Sequence, residues 1–177
     1  MSSQKEINVK MRTILIDWLM EVVQDMKLSM STLFLSVNII DRYLSLQSIE
    51  RDLFQLLGVA ALLIASKLEE VQPRNVDEMA DICDGAYSVK QVAEMELACL
   101  QKLNFCVSVP TLLYFANRLL VVCDLECKDL VHYFLSICLL RSDVLKFPYS
   151  IISTSCIVIA LHWTRLNCWV FSFVNNL

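Results

Sequence analysis

The sequence predicts an all-α fold of helical repeats. It holds 2 Gly and 3 Pro in 177 residues, of which 56% are hydrophobic, so few breakers interrupt long Leu-, Ile-, Val- and Ala-rich stretches. Apolar residues recur at helical spacing, most clearly between Met11 and Met26. The length suffices for one or two small domains.

Helix one, about Lys10 to Lys27, is unusually apolar for a surface helix. At ~100° per residue Met11, Ile14, Leu15 and Trp18 share one face, which Leu19, Val22, Val23 and Met26 widen. Thr13, Asp17, Glu21 and Gln24 keep only a narrow arc. Either the whole stripe is buried between helices, or part stays exposed, edged by Glu21 and Asp25. An exposed strip of this kind suits a peptide bearing both a basic and an apolar residue.

Helix two follows a short turn and runs from about Ser31 to Leu46. Helix three, about Asp52 to Glu69, is apolar all round from Leu53 to Ala65, the mark of a helix at the centre of a bundle. Its Gly58, Ala60, Ala61, Ala65 and Ser66 permit close approach of neighbours, and Gln72-Pro73 ends it. Helix four, about Val76 to Cys83, is short and precedes the turn Asp84-Gly85. Ser88-Val89-Lys90-Gln91 reads as a capping box opening helix five, about Val89 to Leu103.

Asn104 to Val109 is the best linker, which divides the chain into residues 1–105 and 106–177. Pro110 is expected in the first turn of a helix ending near Cys123. Further helices are expected over about Cys127 to Val144 and Tyr149 to Arg165. Phe34-Leu35-Ser36 in helix two and Phe134-Leu135-Ser136 in the second half form a weak internal echo.

Composition bounds the function. A net charge of -4 argues against a nucleic-acid binder. The eight cysteines include no C-x-x-C pair, no signal peptide opens the sequence, and reduced thiols in cytosol or nucleus are expected rather than zinc or a disulfide framework. The apolar segment Tyr149–Thr164 is 16 residues, short of the ~20 needed to span a bilayer, so no membrane association is expected. His132 and His162 stand apart on apolar helices and read as packed side chains. Asp77, Glu78 and Asp81 read as a solvated face rather than a carboxylate dyad. No phosphate-binding glycine loop is present. No catalytic, cofactor or metal site is expected.

Five segments, in this order, resemble the cyclin box of A- and B-type cyclins. They are Met11-Arg12-Thr13-Ile14-Leu15-Ile16-Asp17-Trp18-Leu19, Asp41-Arg42-Tyr43-Leu44, Gln55-Leu56-Leu57-Gly58, Ala65-Ser66-Lys67-Leu68-Glu69-Glu70 and Met95-Glu96. The match is specific from Met11 to about Phe105 and weaker through Phe147-Pro148 and Ile157–Leu161, which resemble a second box. The resemblance implies one complete five-helix box (1–105) and a partial second box (106–177), with room for about three helices before Leu177. It implies a non-enzymatic subunit, nuclear and cytoplasmic, that binds and activates a cyclin-dependent protein kinase. Alternatives are a cyclin-fold adaptor or transcription-related protein, or a truncated cyclin that binds without activating.

Residue by residue, the resemblance makes Arg12 and Asp41 an internal salt bridge and Leu56 a core position of helix three. It puts Lys67, Leu68, Glu69, Glu96, Leu100, Phe105 and Val107 at the kinase. Leu68 departs from the aromatic residue frequent at its position. Met11, Ile14, Leu15, Trp18, Glu21 and Gln55 match a groove that docks Arg-x-Leu-type motifs of substrates and inhibitors, with Glu21 the partner of the arginine. Arg12-Thr13-Ile14-Leu15 also fits an R-x-x-L pattern, read as structural because it lies in the groove helix. With only about three helices, the second box should leave part of the Tyr149–Arg165 helix uncovered.

Overall fold

The computed structural model describes residues 4, 6–122 and 127–164. Among them are eight α-helices: α1 (Val9–Asp25), α2 (Met30–Leu46), α3 (Phe54–Glu69), α4 (Val76–Asp81), α5 (Val89–Lys102), α6 (Leu112–Val122), α7 (Lys128–Leu140) and α8 (Tyr149–Thr164). They fall into two compact units, Met1–Val109 and Pro110–Leu177. The boundary thus lies at the far end of the expected linker.

In the first unit α3 is the axis. From Leu56 to Ser66 every residue is buried, and α1, α2, α4 and α5 all pack on it. Gly58 meets α1: a Cβ there would stand 2.9 Å from Cδ1 of Leu15, so a larger side chain would press on that leucine. A 3₁₀ turn, Arg51–Leu53, leads into α3 where a continuous helix was expected.

The helix ends are fixed by local chemistry. Asn8 and Ser29 accept hydrogen bonds from the amides of Met11 and Thr32 at the starts of α1 and α2. Asn75 with Glu78 and Ser88 with Gln91 form two reciprocal capping boxes, the second as read from the sequence. α1 and α5 both end in a left-handed residue, Lys27 (φ 55°) and Asn104 (φ 50°). In each case the next amide, Leu28 or Phe105, reaches back to the carbonyl of Val23 or Leu100. Phe105 itself is also left-handed (φ 56°).

One tie spans the unit without belonging to any single helix. The Glu70 carboxylate accepts from the backbone amide of Ser29 and the hydroxyl of Thr32, at the start of α2. Although partial burial opposes its ionisation, these hydrogen bonds and nearby Arg74 hold its pKa below the usual 4.5. Arg74 donates to the carbonyl of Met26, just past α1. The segment after α3 thereby joins the end of α1 to the start of α2.

Among the described residues the second unit is built from α6, α7 and α8. Leu112, Leu113, Ala116 and Leu120 meet Val131, Leu135 and Leu139 and the buried face of α8, namely Ile152, Cys156, Ile157, Ala160 and Leu161. Ser153, fully buried on α8, donates to the carbonyl of Leu112. Pro110 precedes α6 rather than entering its first turn; the Thr111 hydroxyl caps that helix by accepting from the Tyr114 amide. α7 stops at Leu140, and the 3₁₀ turn Ser142–Lys146 takes the place of its expected last turn. On α8, Ile152, Ile157 and Leu161 are buried, while Ile151, Ile159 and Trp163 are 55%, 50% and 76% exposed. Among the described residues no helix is long and apolar enough to cross a membrane.

Candidate functional site

Two surfaces of the first unit carry the residues singled out from the sequence. The first lies where α3 ends beside α5. Lys67 donates to Glu96 at 2.5 Å; the lysine side chain is 43% exposed and the glutamate 14%. Glu96 and Leu100 are one turn apart on α5, hence on one face, and Leu100 is half-buried. Phe105 follows, 64% exposed, and the Leu100 carbonyl holds its amide at 2.8 Å. Lys67 and Glu96 therefore form an ion pair one turn from Leu100, whose carbonyl holds the exposed Phe105 on a left-handed backbone.

The three other expected members sit in different environments. Leu68 is 48% exposed on the last turn of α3. Glu69 is exposed, but two positions beyond Lys67 puts it ~160° round the helix, away from the ion pair. Val107 is only 7% exposed, so its side chain belongs to the core rather than to an accessible surface. Its apolar character is what buries it, and residue type alone did not distinguish it from Phe105. Sequence reasoning missed Arg42, which donates to the Cys106 carbonyl at 2.6 Å and pins the segment carrying Phe105.

The second surface lies along α1. Ile14 is 59% exposed, Glu21 and Asp25 are exposed, and Met11 and Trp18 are half-buried. The wide stripe is thus divided: Leu19, Val22 and Val23 enter the core, joined by Ile16 from outside the stripe, and the edge formed by Ile14 and Trp18 does not. Leu15 corrects the expectation of an open strip residue. It is 6% exposed because it packs on Gly58, and it forms a floor rather than a rim. Gln55 is half-buried one turn before Gly58, on the same side of α3. Acidic Asp17, Glu21 and Asp25 are all exposed on this helix, so the apolar edge sits in a negative field.

Beneath both surfaces, Arg12 and Asp41 join α1 to α2 by two hydrogen bonds of 2.6 Å, with the guanidinium buried. Leu56 is buried in α3.

The groups set aside as non-catalytic also have defined surroundings. His132 meets Asn117 at 2.9 Å, and burial with nearby Lys128 lowers its pKa. His162, expected to be packed, is instead exposed on the last turn of α8. Glu78 serves the cap of α4 and pairs with Arg74, while Asp77 and Asp81 face solvent. Among the described residues no three His, Cys, Asp or Glu converge as a metal site would require.

Fold and surface together define a helical-repeat protein that presents an ion-paired patch and an acid-edged apolar strip. Residues 1–108 match the family described as Cyclin, N-terminal domain, and residues 110–175 match Cyclin, C-terminal domain. The chain is 41% identical over 162 residues to Cyclin-B1-2 of Arabidopsis thaliana, covering 90% of this chain and 36% of that protein. It is 41% identical over 174 residues to the G2/mitotic-specific cyclin-A of Hydra viridissima, covering 96% of this chain and 41% of that protein. A viral cyclin from herpesvirus saimiri has the same fold, with TM-score 0.85 at 21% identity over 95% of this chain and 76% of that one. The chain belongs to the cyclin family, with relatives among both A- and B-type members. It spans between a third and a half of the length of the two curated relatives just named.

Proposed function

We propose that this chain is a regulatory subunit, not an enzyme, that binds and allosterically activates a cyclin-dependent protein kinase and recruits substrates through the α1 strip. The observation that carries the reading is the Lys67–Glu96 pair beside Leu100 and exposed Phe105 in a member of the cyclin family. An ion pair at a surface edge has hydrogen-bonding capacity left for a partner's backbone, and a held aromatic ring supplies apolar area.

The mechanism is a shift of population. A kinase alone populates its active arrangement poorly, because its own Lys–Glu pair must be set by a mobile helix. A subunit that binds the active arrangement more tightly raises its share in proportion to the difference in affinity. The strip of Met11, Ile14 and Trp18 on its Leu15 floor, with Glu21 and Gln55, adds a second contact for substrates or inhibitors bearing an Arg-x-Leu-type motif. Glu21 pairs with the arginine and the apolar edge takes the leucine. On this reading the chain acts in the nucleus and cytoplasm, without nucleic acid or membrane as partner.

The test is co-purification with cyclin-dependent kinases followed by a histone-phosphorylation assay on the isolated pair. Binding with activation supports the proposal. Absence of kinase would favour a cyclin-fold adaptor or transcription-related role, and binding without activation would favour an inactive competitor.

A further inference from the structure

Cys138 on α7 and Cys156 on α8 bring their sulfur atoms to 3.7 Å across the core edge of the second unit. Both are unoxidised thiols, Cys156 buried and Cys138 partly open to solvent. We propose that Cys138 and Cys156 form an oxidisable dithiol, a modification site at which a hydroperoxide links α7 to α8 through a disulfide.

A disulfide needs its sulfurs ~2.05 Å apart, and these two are already in contact. The surroundings divide the labour between the two thiols. Cys138 lies against Cys156 and near Arg141, and these neighbours lower its pKa against the opposing effects of burial and Asp143. Arg141 is itself held by Asp143 at 2.6 Å, which keeps the cation close. The contact with Cys138 and burial push the Cys156 thiol up, so Cys138 is the more readily ionised of the two. The thiolate is the nucleophile, and here it is also the accessible partner.

The chemistry closes in two steps. The Cys138 thiolate attacks one oxygen of the hydroperoxide; the O–O bond breaks, hydroxide or alkoxide leaves, and a sulfenic acid forms. The Cys156 sulfur then attacks the Cys138 sulfur; the S–S bond forms, the S–O bond breaks, and water leaves with the Cys156 proton. Overall the two thiols lose two protons and two electrons, and the peroxide is reduced. Other described thiols differ in kind. Cys99 is fully buried and pushed up to about 12 by burial and by Glu96, and Cys106 is exposed. Cys106 therefore serves as an internal reference for accessibility.

The whole purified chain is titrated with hydrogen peroxide at neutral pH, quenched with iodoacetamide, digested and mapped by mass spectrometry. The expected result is a Cys138–Cys156 cross-linked peptide, lighter by two hydrogens than its parts, accumulating several-fold faster than oxidation of Cys106. Cys156→Ser should trap Cys138 as a sulfenic acid reactive toward dimedone, and Cys138→Ser should leave Cys156 unmodified. The proposal is overturned if both thiols stay alkylatable after Cys106 has oxidised, or if Cys138 cross-links instead to Cys123 or Cys168. The wild-type map alone decides between these results, so a serine variant that fails to fold does not remove the test.

Discussion

Arg12 on α1 and Asp41 on α2 meet through paired 2.6 Å hydrogen bonds, the guanidinium out of solvent and the carboxylate partly buried. A buried pair of this kind is costly to half-remove, because the remaining charge has no water to replace its partner. Asp41→Ala is expected to lower unfolding free energy by ~3–5 kcal/mol. The double variant Arg12→Met, Asp41→Leu should recover most of that loss. Urea denaturation of the three chains measures both.

The Lys67–Glu96 pair gives the opposite expectation for stability. Lys67 is 43% exposed, so losing the pair should cost the fold no more than ~1 kcal/mol. Glu96→Lys should nevertheless weaken kinase binding by ~2–5 kcal/mol. The charge-swapped double variant Lys67→Glu, Glu96→Lys restores an ion pair but not its polarity. It should therefore keep its circular dichroism and melting temperature and still fail to activate. Normal activation by a folded Glu96→Lys chain would remove the patch from the kinase interface.

Trp18→Ala is expected to impair substrates bearing an Arg-x-Leu motif by at least ~2 kcal/mol in docking while sparing short peptides without it. Ile14→Ala, at a position 59% exposed, should reproduce the selectivity with less effect on folding. Equal loss on both substrate classes would show that the half-buried tryptophan serves the core alone.

Much of the architecture is legible in the sequence, and the reasons are local. The Ser88–Gln91 box and the all-round apolar character of α3 announce themselves in consecutive residues. The 3₁₀ turns at Arg51–Leu53 and Ser142–Lys146 do not, because hydrophobic spacing does not separate a tightened turn from a helical one. The burial of Leu15 depends on the absence of a side chain at Gly58, 43 positions away, and no periodicity within α1 encodes it. That of Val107 depends on tertiary packing after the left-handed turn at Asn104 and Phe105. The kinase-facing assignment of Lys67 and Glu96 came from resemblance; as isolated charges they read as solvated helix ends. Glu69 is the instructive case, since simple helical geometry turns it away from the pair with which the motif groups it.

Glu70 should make the first unit sensitive to acid. Its pKa in the folded state is lower than the usual 4.5, so between these values the unfolded chain binds the extra proton. Stability from this group is full above 4.5 and is lost as pH falls through the lower folded value. Glu70→Gln keeps an acceptor for the Ser29 amide but cannot titrate. Its unfolding free energy should be lower than wild type at neutral pH and should converge with it in acid, as read from denaturation curves across that range.

Gly58→Val should destabilise the chain by ~1–3 kcal/mol, because a side chain already 2.9 Å from Leu15 at its Cβ would be forced against α1. The same variant should reduce Arg-x-Leu docking, as Leu15 is displaced beneath the strip. Retained docking in a destabilised chain would separate the groove from its floor.

The burial of α3 on every side has a further consequence for how the two surfaces act together. Gln55 at its first turn borders the docking strip and Lys67 at its last turn anchors the ion pair. The 12 intervening steps correspond to a rod of ~18 Å. Between those ends the rod is buried among α1, α2, α4 and α5, which hold its two ends at a set spacing. On the proposed reading, the distance between where a substrate is held and where the kinase is seated is a constant of the molecule. Any choice among substrates by reach must then lie in the length of flexible chain separating the docking motif from the phosphorylated residue.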